Sequence, residues 1–416
     1  MSAEMISIGA LGVMFVVATL LPINIGILAF IGAFVVGTSS LGLTEDEIFE
    51  GFPVSLFVTI VGVTYLFSVA QRNGTIDLLV RVGIRLVRGK AALVPWVLFG
   101  VAAVLTAFGT FTPAAVALLV PIGMNFAYRY GISQLMVGMM VISGAHAGAF
   151  SPIAVSGALV LGMVGTTPLA VSPLALFLAS FGFNVLLSVL TFLLLRRKTP
   201  EASPESVAED AESATEPKVT WRQGLTLVAL AALVVGALVF HLEIGFLALA
   251  AGAVLALVDM KNQSKAVEGI SWSTILLVAG MVTYVEILEK AGTIETISHG
   301  AAGMGAPLFV ALLLCLVVAV VSAFASSTAI LTAIIPIAVP LLLASHLSAV
   351  GVVAALAIST TIVDTSPFST NGALVLSNAR GVDRERFYKQ IIGYTAGIVG
   401  IGPILAWSFL VVPASL

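Results

Sequence analysis

Residues 358–377 read ISTTIVDTSPFSTNGALVLS, and the reading of this stretch decides the fold. It lies in strongly apolar sequence, yet it holds an Asp, a Pro, an Asn and many hydroxyls. A membrane helix does not run smoothly through Asp364-Thr365-Ser366-Pro367-Phe368-Ser369-Thr370-Asn371-Gly372. Pro367 removes a backbone donor and disfavours helical geometry at Ser366. Gly372 lets the chain turn back into helix. Irregular backbone at bilayer depth is tolerated only where protein buries it or where it lines a cavity. A polar break of this kind marks a candidate binding site.

The chain contains the stretch twice. Ser151-Pro152-Ile153-Ala154-Val155-Ser156-Gly157-Ala158-Leu159-Val160 lies 215 positions before Ser366-Pro367-Phe368-Ser369-Thr370-Asn371-Gly372-Ala373-Leu374-Val375, and six of the ten positions are identical. Broken helices at matching places in two halves are the sequence mark of a transporter's substrate site.

Composition sets the class. The 416 residues are 59% hydrophobic and 9% charged, with a mean hydropathy of +1.15, whereas soluble domains carry about 25% charge. The chain reads as an all-α polytopic membrane protein. A net charge of −3 points to no nucleic-acid partner, and the single Cys315 rules out an internal disulfide framework. Met1–Leu20 lacks a basic leader and runs straight into more apolar sequence, so it reads as a membrane helix, not a cleaved signal.

Apolar segments are expected at about Met5–Leu20, Ile23–Ser39 and Pro53–Gln71, with an acidic loop at Thr44–Glu50. Thr75–Lys90 places Arg81, Arg85 and Arg88 on one face of an amphipathic helix suited to the membrane interface. Ala91–Phe108 and Pro113–Tyr128 carry no charge between them and are separated by the short tip Gly109-Thr110-Phe111-Thr112, which suits a re-entrant hairpin. A helix from Ser133 breaks at the first Ser-Pro, and another spans Pro173–Leu195. Arg196–Trp221, rich in Glu, Ala, Ser and Pro, reads as a solvated tether.

The second half repeats this plan. Ile23-Asn24-Ile25-Gly26 is echoed by Leu242-Glu243-Ile244-Gly245. Gly51, Ser55, Gly62, Gly74, Thr75 and Ile76 return as Gly269, Ser273, Gly280, Gly292, Thr293 and Ile294, and Thr112-Pro113-Ala114 as Ser327-Thr328-Ala329. Each half thus offers five spans and one hairpin. On that topology every Lys and Arg except Lys290 falls on one side, which the positive-inside rule makes cytoplasmic. Both termini then lie outside. An odd number of spans per half makes the repeats inverted, with the first hairpin entering from the cytoplasm and the second, tipped by Ser326-Ser327-Thr328, from outside.

A hairpin tip and a broken helix, used twice in inverted halves, resemble the divalent anion:sodium symporters of the ion transporter superfamily, and more closely the MatC-type malonate and dicarboxylate carriers. The likeness covers nearly the whole chain. The family's Ser-Asn-Thr tip appears as Ser326-Ser327-Thr328 without the Asn, and at the first tip as Phe111-Thr112-Pro113. The departures leave open the number of sodium sites and the diacid carried. The resemblance implies sodium-coupled uptake of malonate or a similar C3–C4 dicarboxylate by an elevator motion, in a homodimer of the bacterial inner membrane. Scaffold segments are expected at 1–90 and 222–304, transport segments at 91–197 and 305–416, and a cytoplasmic linker at 198–221.

The residues support an anion site in their own right. Thr112, Ser151, Ser156, Ser327, Thr328, Ser369, Thr370 and Asn371 offer hydroxyl and amide donors beside half-helix N-termini, whose free N–H groups favour anions. No Lys or Arg lies in the tips or breaks, so co-bound cations would supply the missing charge. Thr110, Ser326, Asp364 and Ser366 are candidate sodium or coupling ligands, and His146 is a candidate proton carrier. Each has a plainer explanation: Ser and Thr in membrane helices often bond their own backbone, and His146 suits a packing role. Glu286 reads as an interface residue, and Gly144–Gly148 as close helix packing. No catalytic triad, nucleotide loop or metal cluster is evident, so an enzyme is not expected. Protons as the coupling ion in the same fold, and a passive anion channel, are the rival readings.

Overall fold

The computed structural model describes residues 2–21, 23–85, 91–165, 167–196, 219–240, 242–258, 260, 263–293, 296, 307–324, 326–343 and 345–414. Over these residues the chain is all-α. Most of the linker expected at 198–221 lies outside the described residues, as do Arg88, Lys90 and Ile294.

The first half runs α1 (Ala3–Leu20), α2 (Ile25–Leu41), α3 (Glu45–Phe49), α4 (Val54–Arg72), α5 (Thr75–Arg85), α6 (Val94–Ala107), α7 (Thr112–Arg129), α8 (Gln134–Ala149), α9 (Val155–Gly165) and α10 (Pro173–Leu195). The second runs α11 (Trp221–Leu238), α12 (Ile244–Val258), α13 (Gln263–Glu268), α14 (Trp272–Lys290), α15 (Pro307–Ser322), α16 (Ser327–Leu343), α17 (Ala349–Thr361), α18 (Thr370–Asn378) and α19 (Arg384–Leu410). The order of the second half parallels that of the first, the counterpart of α5 falling mostly outside the described residues.

Local chemistry sets the boundaries. Asn24 caps α2 by accepting from Gly26 N–H, and Ser172 caps α10 ahead of Pro173. Thr44 and Glu47 close a reciprocal capping box on α3, as Thr220 and Gln223 do on α11. Among the described residues, five stretches are long and apolar enough to cross a membrane: Val54–Arg72, Pro173–Leu195, Trp272–Lys290, Ala349–Asn378 and Arg384–Leu410. Further apolar helices are shorter, among them those beside the breaks and tips. Multiple apolar helices of this kind are compatible with a multi-pass membrane protein.

The core is built on the helices that break. Every residue of α8 is buried, as is α17 from Gly351 to Thr361. Apolar on all sides, each is wrapped by neighbours. Around α8 stand α6, α7 and α10; around α17 stand α15, α16 and α19. Close approach rests on missing side chains. A Cβ at Gly144 would lie 2.3 Å from the Phe99 carbonyl, and one at Gly148 2.1 Å from that of Ala103. Here the glycine-rich run does pack helix on helix.

Packing between the halves is reciprocal. α2 lies along α14, and α4 along α12. At the first crossing a Cβ on Gly280 would sit 2.0 Å from the Gly26 carbonyl; at the second, a Cβ on Gly62 would sit 2.3 Å from that of Gly245. Hydrogen bonds follow the same pairing. Asn24 Nδ2 donates to the Ser273 carbonyl at 2.8 Å, while Glu243 Oε1 accepts from Thr59 at 3.1 Å and Ser55 at 3.4 Å. Likewise α9 packs on α16, and α18 on α7. Lys290, the cation on its own in the charge count, is tied to the acidic loop. It donates to the Glu47 carbonyl and lies 3.7 Å from Glu50 and 3.8 Å from Glu286.

Candidate functional site

Both Ser-Pro stretches break their helices. After α8, Ser151 turns its hydroxyl to the Ala107 carbonyl and accepts from Ile153 N–H. α9 then starts at Val155. A Cβ at Gly157 would lie 2.0 Å from the Ser151 carbonyl oxygen, so the turn requires glycine. The second break repeats the geometry. α17 passes into a 3₁₀ turn at Ile362–Thr365, and a Cβ at Gly372 would lie 2.0 Å from the Ser366 carbonyl. Ser369 caps α18 by accepting from Gly372 N–H, and donates to the carbonyls of Asp364 and Ser366. Ser366 accepts from Phe368 N–H, as Ser151 does from Ile153.

Two tips meet these breaks. One lies between α6 and α7, where Gly109 takes a φ of +111°, a conformation favouring glycine. The other lies between α15 and α16. Tips and breaks close around one cavity of about 400 Å³. From the tips come Phe111, Thr112, Pro113, Ser326, Ser327 and Thr328; from the breaks come His146, Ser156, Thr361, Asp364, Phe368, Ser369, Thr370 and Asn371. Asn24, Ser273 and Thr274 complete its polar wall.

Four helix N-termini, those of α7, α9, α16 and α18, contribute residues to this wall. Their unpaired N–H groups and positive dipole ends favour a bound anion. No Lys or Arg is among the described lining residues. The carboxyl group among the described lining residues is that of Asp364, buried, whose Oδ2 accepts from Ser327 at 2.8 Å and lies 3.5 Å from His146 Nε2. Neither ring nitrogen of His146 makes a hydrogen bond, and Asn371 Oδ1 is buried with no partner. The arrangement offers an anion many neutral donors and offers a cation hydroxyl and carboxylate oxygens.

Residues 1–149 match the family model of the dicarboxylate carrier protein MatC N-terminus. The match covers 149 of the 416 residues. It takes in the first hairpin, His146 and the whole of α8, and stops before the first break. No curated protein matches the chain.

Ten of the sequence-predicted residues share the cavity: Thr112, His146, Ser156, Ser326, Ser327, Thr328, Asp364, Ser369, Thr370 and Asn371. Ser151 and Ser366 stand beside it with their hydroxyls engaged by backbone. Thr110 faces a different cavity on the other side of the first tip. Sequence reasoning did not single out Thr361, Asn24, Ser273 or Thr274. The signal existed for three of them. Thr361 follows His146 by the 215-residue offset of the breaks, and Asn24 and Ser273 were legible as marks of the repeat.

Proposed function

We propose that the chain is a secondary active transporter that carries malonate or a similar C3–C4 dicarboxylate by sodium-coupled symport. The observation that carries this reading is the convergence of four helix N-termini on a cavity of about 400 Å³ with no Lys or Arg among its described lining residues. Such a wall binds a dianion through neutral donors and needs a co-bound cation to balance the charge. Sodium suits the oxygen ligands on offer, with Ser326, Ser327 and Asp364 its nearest ligand set. Thr112, Ser156, Thr328, Ser369, Thr370 and Asn371 hold the diacid. The match to the MatC N-terminus supports the substrate class.

In this reading the halves are inverted repeats in a bacterial inner membrane, with both termini outside. Residues 1–90 and 222–304 form the scaffold of a homodimer, and 91–197 and 305–416 move as an elevator. The reciprocal crossings of α2 with α14 and α4 with α12 favour a common scaffold made from both halves.

The test is uptake of radiolabelled malonate into proteoliposomes with and without an inward sodium gradient. Sodium-dependent accumulation is the expected result. The His146–Asp364 contact favours a second reading, in which protons couple the same transport. Accumulation driven by a pH gradient without sodium would replace the first reading with the second. Equilibration without accumulation would point to a channel.

A further inference from the structure

The outer face of α18 meets the first turns of α19 in a shallow groove. Ala373, Leu376 and Ser377 form one wall, at helical spacing on the side of α18 away from the buried Asn371 and Val375. Arg384, Glu385 and Tyr388 form the other. Glu385 is matched by Lys389 at 2.6 Å, and Ser377 donates to the Leu374 carbonyl. The Arg384 guanidinium and the Tyr388 hydroxyl have no hydrogen-bond or ion-pair partner among the described residues.

The register of α19 places the groove at a membrane surface. Its first turns carry Arg384, Arg386 and Lys389, and no charged residue follows from Gln390 to Leu410. Ile392, Ile401, Ile404 and Phe409 are exposed along that stretch. Its apolar window is 28% buried, the lowest share of the five long stretches. A helix charged at one end, and apolar and uncovered beyond it, stands with the change at headgroup level, where Tyr is also enriched. Residues 380–389 hold four cations against two carboxylates. In the proposed orientation this end faces the cytoplasm, the leaflet in which anionic lipids concentrate. The groove also reaches the central cavity through a row of rings. Tyr388 packs edge-on against Phe368 at 6.5 Å, and Phe368 lies 5.5 Å from Phe324. Phe368 and Phe324 both line that cavity.

We propose that this groove binds an anionic phospholipid, with Arg384 and Tyr388 holding the phosphate and Ala373 and Leu376 beside the acyl chains. A headgroup held by Tyr388 fixes the ring that supports Phe368. It thereby steadies the break that carries Ser369, Thr370 and Asn371. Only this effect on the ligand of the cavity rests on the carrier reading; the lipid site does not.

The experiment titrates the purified full-length protein in detergent with dioctanoyl phosphatidylglycerol and counts bound lipid by native mass spectrometry. Phosphatidylcholine and phosphatidylethanolamine of the same chain length, and glycerol 3-phosphate, are run beside it. Phosphatidylglycerol is expected to bind in preference to all three. Arg384→Gln is expected to raise its half-saturating concentration by about tenfold, through loss of a hydrogen bond between charged groups. Arg386→Gln, outside the groove, is expected to leave it nearly unchanged. Ser377→Trp fills the groove from the α18 side, is expected to abolish binding, and serves if Arg384→Gln does not fold. Unchanged binding in a folded variant, equal losses from Arg384→Gln and Arg386→Gln, or equal binding of either zwitterionic lipid overturns the site. Equal binding of glycerol 3-phosphate would make it a site for free phosphates and overturn the lipid. A dimer that excludes the lipid and that Ser377→Trp disrupts would assign the groove to a second copy instead. Malonate binding is measured on the same samples, and the lipid is expected to lower its half-saturating concentration by about threefold. Malonate binding that the lipid does not shift overturns the link through Phe368. No malonate binding alongside Arg384-dependent lipid binding overturns the carrier reading and leaves the lipid site standing.

Discussion

Nε2 of His146 lies 3.5 Å from Oδ2 of Asp364, and the two residues come from different halves of the chain. Ser327, on the second tip, donates to the same carboxylate oxygen at 2.8 Å. One oxygen atom therefore joins both breaks and one tip. Any movement of the second tip away from Asp364 would have to break the Ser327 bond.

Asp364→Asn should abolish accumulation of malonate while leaving exchange of internal for external malonate measurable. The amide can still accept from Ser327 but carries no charge for a coupling cation. Counterflow in proteoliposomes checks this, and full accumulation by the variant would remove Asp364 from coupling.

Ser327→Ala should raise the sodium concentration for half-maximal uptake by about ten- to a hundredfold, since a hydrogen bond to a charged group is worth about 1.5–3 kcal/mol. Ser327→Thr should recover most of the loss. A sodium dependence that does not move would place the cation elsewhere.

Asn371→Ala should stop uptake and leave folding nearly intact. Its Oδ1 bonds to nothing in the protein, so its removal forfeits no internal acceptor. Loss of stability should stay under about 1 kcal/mol, read from thermal unfolding beside an uptake assay. Retained uptake at normal affinity would take Asn371 out of the site.

Gly280→Ala should destabilise by about 1–3 kcal/mol or more, because its Cβ would press on the Gly26 carbonyl at 2.0 Å and neither helix has a side chain to move away. Gly9→Ala, with nothing within 4 Å, is the control and should be neutral or stabilising. Equal melting temperatures for the two variants would contradict the packing at this crossing.

Glu47 gives a pH effect outside the apolar helices. The Thr44 backbone N–H, and then its hydroxyl, hold the Glu47 carboxyl below the usual carboxylate range. A lowered value in the folded state stabilises above the ordinary titration range and is lost as pH falls through the lowered one. Hydrogen-exchange protection of residues 44–50 should therefore weaken in acid, and Glu47→Gln should weaken it at neutral pH.

The two breaks were legible because a helix cannot pass Ser-Pro and return at glycine without a mark in the sequence. The 215-residue offset exposed them as a pair. Gly26, Gly62, Gly245 and Gly280 were legible as repeat positions, but their contacts were not. A glycine in apolar sequence does not say which backbone approaches it. The meeting of His146 with Asp364 was hidden for a similar reason: the residues lie at different positions within their halves, and the offset pairs His146 with Thr361 instead. Hydroxyl direction was also beyond reach. Ser151 and Ser156 look alike in sequence, yet one turns to the Ala107 carbonyl while the other lines the cavity. That choice is made by the backbone turn.

Two glycine crossings take one helix from each half: α2 of the first with α14 of the second, and α12 of the second with α4 of the first. At these two seams the chain is dovetailed, and neither half closes them alone. During synthesis the first half must wait with two open seams until α12 and α14 arrive. A protein cut between α10 and α11 would still be held at both seams, so its two pieces, made separately, should find each other and assemble.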